Sequence, residues 1–379
     1  MTKYLKTTST HIDGSKTLQA KYYLSEKIFQ KEKKNIFEEF WFCLGHVGRI
    51  PNRGDYFLQE AFGENFLIVR GEGKKVHVHF NVCAHRGTMV CKPKAEVDGK
   101  ANNRKTIQCQ YHGWTYNLDG KLIAAPSMEE VKGFNKTDIS LLSPPVYIWE
   151  GFIFISFRQK PKPFEEVYAP MLDRLSEWGV AGLERRHSEK YQLKANWKLI
   201  FLNFSECYHC SIAHKVLSRY ISDKSAQNDL SSGPFLGGLM DILNDGESVT
   251  SNGNLCALPL GGKLTTKTAK KGYYYSILGN LLLNIHPDYL MFHCLFPQSA
   301  SETRVESDWL FDPLSGTSPE EREKQRDPVN IWSETNKEDW ELCELQQQGL
   351  GSKAYRSGYY SNRESLLAAF DFEYLRLMK

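Results

Sequence analysis

Two short stretches of this chain combine cysteine and histidine at spacings that suit metal binding. Cys83 and His85 form a Cys-x-His pair, and Cys109 and His112 form a Cys-x2-His pair. Two thiolates and two imidazoles are the ligands of a [2Fe–2S] cluster in which histidines replace the cysteines on one iron. Such a cluster accepts an electron at a higher potential than a cluster with four cysteines. The pattern therefore predicts an electron-storing site.

The same ligands would also fit a structural zinc site, which is the main alternative. Zinc fingers usually place a Cys-Cys pair before a His-His pair, whereas the two Cys–His pairs of this chain are interleaved. Trp114 and Tyr116, beside the second pair, also favour the cluster. We therefore expect two loops, each following a strand, to hold a [2Fe–2S] cluster between them.

A second candidate metal site lies further along the chain. Glu206, His209 and His214 fall within nine residues. On a continuous helix Glu206 and His209 would share a face, but His214 would lie about 140° further round. The two imidazoles can therefore bind one metal ion only if the helix breaks between them. Two neutral imidazoles with a carboxylate leave open positions on Fe(II) for O2. The alternative is a pair of buried histidines on a core helix.

The nine cysteines are expected to remain unpaired. Their number is odd, the chain is long, and no export signal precedes them, so a disulfide framework is disfavoured. Cys207 and Cys210 flank His209, but nitrogen and oxygen ligands suit an oxygen-activating Fe(II) better than thiolates do. We expect both to be packed thiols.

Composition narrows the function classes. The 379 residues suffice for two domains, and the balance of 48 basic to 45 acidic residues argues against binding nucleic acid or a membrane surface through bulk charge. The first twenty residues are polar, and no run of about 18 apolar residues occurs. A cytoplasmic protein with no membrane partner is expected.

The pattern of apolar residues predicts three regions. Ser25 to Trp41 has helical spacing, and Trp41 to Phe157 alternates in short strands separated by turns such as Asp98-Gly99. Pro161-Lys162-Pro163 marks a boundary, after which helices and strands mix. In this last region we predict helices at 171–178, 215–222, 330–348 and 361–377, and strands at 191–201, 273–275 and 281–296.

Taken together, the motifs resemble the oxygenase α subunit of Rieske non-haem iron oxygenases. The resemblance implies an α+β protein with an all-β Rieske [2Fe–2S] domain at 41–160 and a helix-grip (START/SRPBCC-like) catalytic domain at 161–379. Residues 1–40 would form a helical segment that packs on the catalytic domain. The stretches that carry the resemblance are Cys83-x-His85, Cys109-x2-His112-Gly113-Trp114-Thr115-Tyr116, Asn196-Trp197-Lys198, Asn203, Glu206-Cys207-Tyr208-His209 and His214.

The resemblance also implies the ligands of a mononuclear Fe(II), which the family holds with two histidines and a later aspartate. His209 and His214 match the histidines, and Asp339 on a late helix matches the aspartate best. Asp371 is the rival. The alternative for Asp339 is an exposed helix carboxylate, but Trp332 on the same helix is among the residues that can anchor it inward.

Glu206 stands where most family members have an aspartate that bridges the two metal centres across a subunit interface. The resemblance therefore implies a homotrimer in which the cluster of one subunit serves the iron of its neighbour. Glutamate at this position, one methylene longer, is similar to the branch that acts on quaternary ammonium compounds. The loop between His85 and Cys109 is long for the family.

The predicted reaction is monooxygenation of a small choline-, betaine- or carnitine-like substrate, with O2 as oxidant. Hydroxylation of an N-methyl carbon would release formaldehyde. The chain has neither a Gly-x-Gly-x-x-Gly dinucleotide fingerprint after a strand nor the plant-type ferredoxin cysteine spacing, so electrons must come from NAD(P)H through a separate reductase. The alternatives are an aromatic ring-hydroxylating (di)oxygenase and a non-catalytic Rieske electron-transfer protein.

Overall fold

The computed structural model describes residues 2–92 and 105–379. The turn predicted at Asp98-Gly99, with most of the loop that contains it, lies outside the described residues. The chain divides into two compact units, Leu44–Lys162 and a larger one that joins Met1–Cys43 to Pro163–Lys379. The N-terminal segment thus belongs to the same unit as the C-terminal half.

The N-terminal segment contains β1 (Leu5–Lys6), α1 (Lys21–Leu24) and α2 (Glu26–Glu32), and a π-helical turn at Lys33–Phe37 follows. Ser25 caps α2, because its hydroxyl accepts a hydrogen bond from the Ile28 N–H. The helix predicted from Ser25 to Trp41 is α-helical only as far as Glu32, and the π-helical turn that follows it ends at Phe37. Its buried end is held by Glu32, which accepts hydrogen bonds from Trp197 and Lys198 in the same unit.

The smaller unit contains three sheets of three strands each within the described residues. The stretch from Tyr147 to Phe157 contains a hairpin turn, at which Glu150 and Gly151 have φ values of 48° and 82°. A side chain at Gly151 would also meet His46 at 2.2 Å. The sheets comprise β2 (Phe42–His46), β10 (Phe152–Ile155) and β9 (Val146–Trp149); β3 (Tyr56–Ala61), β4 (Glu64–Arg70) and β5 (Val76–Phe80); and β6 (Ile107–Gln108), β7 (Thr115–Tyr116) and β8 (Leu122–Ala124).

The larger unit contains one eight-stranded antiparallel sheet with helices packed on it, in the order β1-β12-β13-β14-β15-β16-β17-β11. The predicted α+β class is confirmed. Its remaining strands are β11 (Glu184–Leu193), β12 (Gln227–Ser232), β13 (Phe235–Asp241), β14 (Lys271–Ile277), β15 (Leu281–Ile285), β16 (Leu290–Ser299) and β17 (Glu302–Phe311). Its further helices are α3 (Phe164–Val167), α4 (Trp197–Phe204), α5 (Cys210–Ala213), α6 (Pro319–Leu350) and α7 (Ser365–Leu377).

The prediction of a strand over 191–201 is wrong in its second half. Strand β11 ends at Leu193, and α4 begins at Trp197. The Asn196 side chain accepts a hydrogen bond from the Lys198 N–H at 3.0 Å and so caps this helix. The apolar residues from Trp197 onward, which the sequence pattern predicts as part of a strand, therefore form a buried helix. This helix ends two residues before Glu206.

The helices predicted at 171–178 and 215–222 are also wrong, since only 3₁₀ turns form there, at Ser176–Trp178 and Leu217–Arg219. At 171–178 the apolar residues do not form one face of a helix. They are buried by contacts with residues distant in the sequence. The Trp178 ring, for example, packs edge-on against Tyr273 with centroids 5.0 Å apart.

Helix α6 is longer than predicted. It starts at Pro319, where Ser318 and Glu321 form a capping box, and continues through Pro328 to Leu350. In the parts of the chain that the structure describes, no helix combines the length and the apolar character needed to cross a bilayer.

Candidate active site

The two predicted cluster loops have the same backbone hydrogen bonds. The Gly87 N–H donates to the Cys83 carbonyl at 3.0 Å, and the Gly113 N–H donates to the Cys109 carbonyl at 3.1 Å. The two glycines have φ values of 75° and 74°, a region that residues with side chains rarely adopt. This explains why a glycine stands four residues after each cysteine.

The four side chains of these loops come together in the smaller unit. Cys83 and Cys109 are buried in its core, while the Nδ1 atoms of His85 and His112 lie 3.2 Å apart at the exposed side. Burial raises the pKa of the Cys109 thiol. One pair of thiols inside and one pair of imidazoles outside fit a cluster with two different irons.

Tyr116 stands beside one of these thiols. Its hydroxyl accepts a hydrogen bond from the Ala84 N–H at 3.1 Å and lies 3.2 Å from Cys83 Sγ. The hydroxyl proton is therefore free to point at the sulfur. A donor in this position would stabilise negative charge on the sulfur of a bound cluster.

The second candidate site is built around a break in the helix, as its spacing required. Helix α4 ends at Phe204, and the four-residue helix α5 separates His209 from His214. His214 has φ −107° and ψ 74°, which ends α5. The break turns both imidazoles toward one point.

That point is occupied by the carboxylate of Asp339 from α6. The His209 and His214 Nε2 atoms lie 3.1 Å apart, and Asp339 Oδ1 lies 3.2 Å and 3.0 Å from them. Asp371 lies elsewhere, on α7, where the Tyr360 hydroxyl donates to its Oδ2 at 2.8 Å. The structure thus brings Asp339, and not its rival, to the two histidines.

Each imidazole also contacts a carboxylate through its other nitrogen. His209 Nδ1 lies 2.5 Å from Glu206 Oε1, and His214 Nδ1 lies 2.7 Å from Glu338 Oε2. Such contacts fix the ring orientation of metal-binding histidines. Nothing in the local sequence distinguishes Glu338 from the other acidic residues of α6, so its contact with His214 could not be predicted.

The charges of this cluster favour a cation. Burial by itself lowers the pKa of His209, but Asp339 and Glu206 raise it to about 10. Burial by itself raises the pKa of Asp339, but hydrogen bonds from His209 and His214 lower it to about 2. Asp339 and Glu206 therefore stabilise positive charge at His209. A divalent metal ion bound between the imidazoles and Asp339 would place positive charge at the same position. Two imidazoles and one carboxylate are the donors that a non-haem Fe(II) prefers.

Cys207 and Cys210 form a disulfide, so the expectation that both are free thiols is wrong. The turn before α5 brings their Cα atoms to 4.9 Å, which is within the range that disulfides require. Cys210 Sγ lies 4.0 Å from His209 Nε2. In the disulfide this sulfur is not a thiolate.

A cavity of about 360 Å³ lies next to this site in the larger unit. Phe204 and Tyr274 line its inner part together with Ser276, and Glu206 also borders it. Other residues around it are charged, namely Lys6, Lys224, Arg363 and Asp223.

Comparison with known families identifies both units. The model of the ring-hydroxylating alpha subunit (catalytic domain) matches residues 180–379. The chain belongs to this family. The Rieske [2Fe–2S] domain model matches residues 40–135. The expected order, a Rieske domain followed by a catalytic domain in an α+β chain, is confirmed, as is the resemblance to Rieske oxygenases.

Among curated relatives of this family member, the carnitine monooxygenase oxygenase subunit of Acinetobacter pittii is 32% identical over 204 residues, 53% of each chain. The glycine betaine monooxygenase oxygenase subunit of Pseudomonas aeruginosa is 27% identical over 92% of this chain and 86% of its own. The chain thus spans about half the length of the carnitine monooxygenase subunits that it matches. A solved quaternary ammonium Rieske monooxygenase has the same fold, with a TM-score of 0.81, 24% identity and 96% of both chains covered.

Proposed function

We propose that this chain is the oxygenase component of a Rieske monooxygenase that oxidises a small quaternary ammonium compound. The observation that carries the proposal is the convergence of His209, His214 and Asp339 on one point, within 3.2 Å of one another. The substrate class is supported by the relatives, which are named for carnitine and glycine betaine. A glutamate at position 206, where most family members have an aspartate, agrees with the branch of the family that acts on quaternary ammonium compounds.

The residues of both sites fit the groups that the family implies. Cys83, His85, Cys109 and His112 would hold the [2Fe–2S] cluster. His209, His214 and Asp339 would hold a mononuclear iron, which when bound supplies open positions for activating O2. The chain itself would orient the imidazoles through Glu206 and Glu338, as its hydrogen bonds already do.

The proposed reaction inserts one oxygen atom into a C–H bond next to the charged nitrogen. O2, two electrons and two protons yield a carbinolamine and water. The carbinolamine then collapses as its C–N bond breaks, giving a tertiary amine, an aldehyde and a proton. Oxidation of an N-methyl carbon gives formaldehyde, whereas oxidation of a chain carbon gives the aldehyde of that chain.

Electrons for this reaction would come from NAD(P)H through a separate reductase. We further propose a homotrimer in which Glu206 links the cluster of one subunit to the iron of the next. Glu206 is suited to this role, since one oxygen contacts His209 and the other accepts a hydrogen bond from the Tyr208 N–H. Tyr208 is 51% exposed in the single chain, so this segment lies at the surface.

The test uses the full chain purified anaerobically with iron and a surrogate reductase. Analysis should find about three irons per chain by the ligand counts. Trimethylammonium compounds should stimulate O2 uptake and aldehyde release, and aromatic acids should not. Asp339→Asn, with the cluster intact, is the matched inactive control. A colourless protein loaded with zinc would overturn the proposal, and about two irons per chain would indicate an electron carrier. Turnover of aromatic acids alone would place the chain with the ring hydroxylases.

A further inference from the structure

One face of the eight-stranded sheet, which we call the inner face, packs against α4 and α6. The Ser276 hydroxyl lies 2.6 Å from that of Ser205, and the Tyr274 ring meets Phe204 edge-on at 6.4 Å. Tyr274 pairs with Asn284 across β14 and β15, so both side chains lie on this face. The neighbouring Tyr273 and Tyr275 point to the opposite face.

Three polar side chains of the inner face are buried without partners. The Tyr274 hydroxyl, both amide atoms of Asn284 and both ring nitrogens of His286 have no hydrogen-bond partner in the described structure. Asn284 and His286 are fully buried. A buried polar group without a hydrogen-bond partner destabilises the folded protein. Several of them on one face therefore indicate a binding role.

Tyr274 and His286 meet over Gly272. A Cβ atom at Gly272 would lie 2.8 Å from the Tyr274 hydroxyl and 3.2 Å from His286 Cε1. Tyr274 also lines the 360 Å³ cavity that borders Glu206. Beyond it, His286 stacks on Tyr289 with centroids 4.5 Å apart and lies 5.4 Å from Trp332. The group is thus polar in its centre and aromatic at its far side.

The inner face offers no fixed positive charge to this group. Burial lowers the pKa of His286 to about 3, so the imidazole is neutral at physiological pH. A carboxylate placed there would lose its hydration without gaining a counter-charge, which disfavours its binding. No Lys or Arg occurs at the described strand positions of this face that surround Tyr274 and Asn284, which are Gly238, Gly272, Ser276, Leu282 and Met291.

We propose that Tyr274, Asn284 and His286 form a subsite that recognises an uncharged oxygen, a hydroxyl or a carbonyl, on the distal end of the substrate. This rests on the proposed function, because it assumes that the amine end faces His209 and His214. Amide, imidazole and phenol together offer donors and acceptors, which an oxygen of either kind can use. Lys6, Lys224 and Arg363 line the same cavity as Tyr274 and provide the competing site for a carboxylate.

The experiment compares three substrates that share a trimethylammonium group and differ in the other substituent: 2-hydroxyethyl, n-propyl and carboxymethyl. Tyr274→Phe and Asn284→Leu remove hydrogen-bonding groups of the proposed subsite with little change in side-chain volume. The matched control is Tyr275→Phe, which removes a hydroxyl on the opposite face, where it contacts Asp229. Turnover is measured with the reductase, and binding to the iron-loaded protein is measured anaerobically by calorimetry.

We expect wild type to prefer the hydroxyethyl compound to the n-propyl one. Each inner-face variant should lower kcat/KM for the hydroxyethyl compound about tenfold, mainly through KM, in keeping with the loss of one hydrogen bond. The n-propyl compound should change less than about twofold, and Tyr275→Phe should change neither.

Equal losses for both compounds, or no loss for either, would overturn the subsite. So would a wild-type preference for the carboxymethyl compound that the two variants abolish. If no compound is turned over, the proposed function fails, and the calorimetry still decides the subsite. The subsite is supported if wild type binds the hydroxyethyl compound more tightly than the n-propyl compound and the variants lose this difference. It is contradicted if wild type binds both compounds equally.

Discussion

Glu206 Oε1 lies 2.5 Å from His209 Nδ1, on the edge of the imidazole ring opposite the nitrogen that faces Asp339. The carboxylate is therefore placed to position His209 without competing for the metal. The two ring nitrogens of His209 therefore have different contacts. Nδ1 contacts Glu206, and Nε2 faces Asp339 and the proposed metal position.

Glu206→Ala should keep both metal centres and nearly abolish turnover that depends on electrons from the cluster. The physical reason is that the contact with His209 and the proposed path between subunits are both removed. Iron content and the cluster's absorption measure the first part, and single-turnover oxidation of the reduced cluster measures the second. Glu338→Ala is the control, since it removes the matching carboxylate at His214. A Glu206→Ala protein with full activity would remove the bridging role.

Asp339→Ala should lose the mononuclear iron while the cluster's visible absorption persists. Among the carboxylates that the structure describes, Asp339 alone lies within 3.2 Å of both histidine Nε2 atoms. Iron analysis should fall from about three to about two per chain by the ligand counts. Asp371→Ala is the matched control and should keep all the iron. Loss of iron in the Asp371 variant instead would reverse the ligand assignment.

Asp371 should make the protein less stable as pH rises. Burial raises its pKa to about 7, from an ordinary value of 3.8. Its protonated form is therefore favoured in the folded state, so the associated stability is full below about pH 4 and is lost as pH rises through about 7. Asp371→Asn keeps a neutral group there, and urea unfolding of the variant should show a smaller fall over this window. Identical pH profiles for the two proteins would contradict the burial argument.

Tyr116→Phe should lower the reduction potential of the cluster without releasing it. The hydroxyl lies 3.2 Å from Cys83 Sγ, and hydrogen bonds to cluster sulfurs raise the potential. One hydrogen bond of about 1 kcal/mol corresponds to about 40 mV for a one-electron couple. Redox titration of the cluster spectrum measures this shift. Tyr111→Phe, with an exposed ring in the same loop, should leave the potential unchanged. A shift of equal size in both variants would remove the role of Tyr116.

Much of the metal chemistry could be predicted from residue types and spacing. The four cluster residues lie in two short loops whose glycines mark the turns, so each half of that site is a local feature. His209 and His214 also lie close in sequence, and their five-residue separation required the helical break that α5 provides. The strands of the smaller unit and the two long C-terminal helices followed from periodicity, because each buries one regular face.

Other features depend on contacts between distant residues. Asp339 is 125 residues from His214, and the choice between Asp339 and Asp371 depends on which late helix lies against α5. The pairing of Cys207 with Cys210, the helix at Trp197–Phe204 and the subsite of Tyr274, Asn284 and His286 were likewise absent from the sequence predictions.

The amino-acid sequence by itself therefore determined which metals this protein is equipped to hold, since ligand type and local spacing carry that information. The tertiary structure decided which carboxylate lies against the two histidines and which buried polar groups are left without a partner in the described residues. The physical reason is that an acidic residue on a helix has the same local sequence pattern whether or not it lies beside a metal site. Only the packing of α6 brings the Asp339 carboxylate to 3.0 Å from the His214 imidazole.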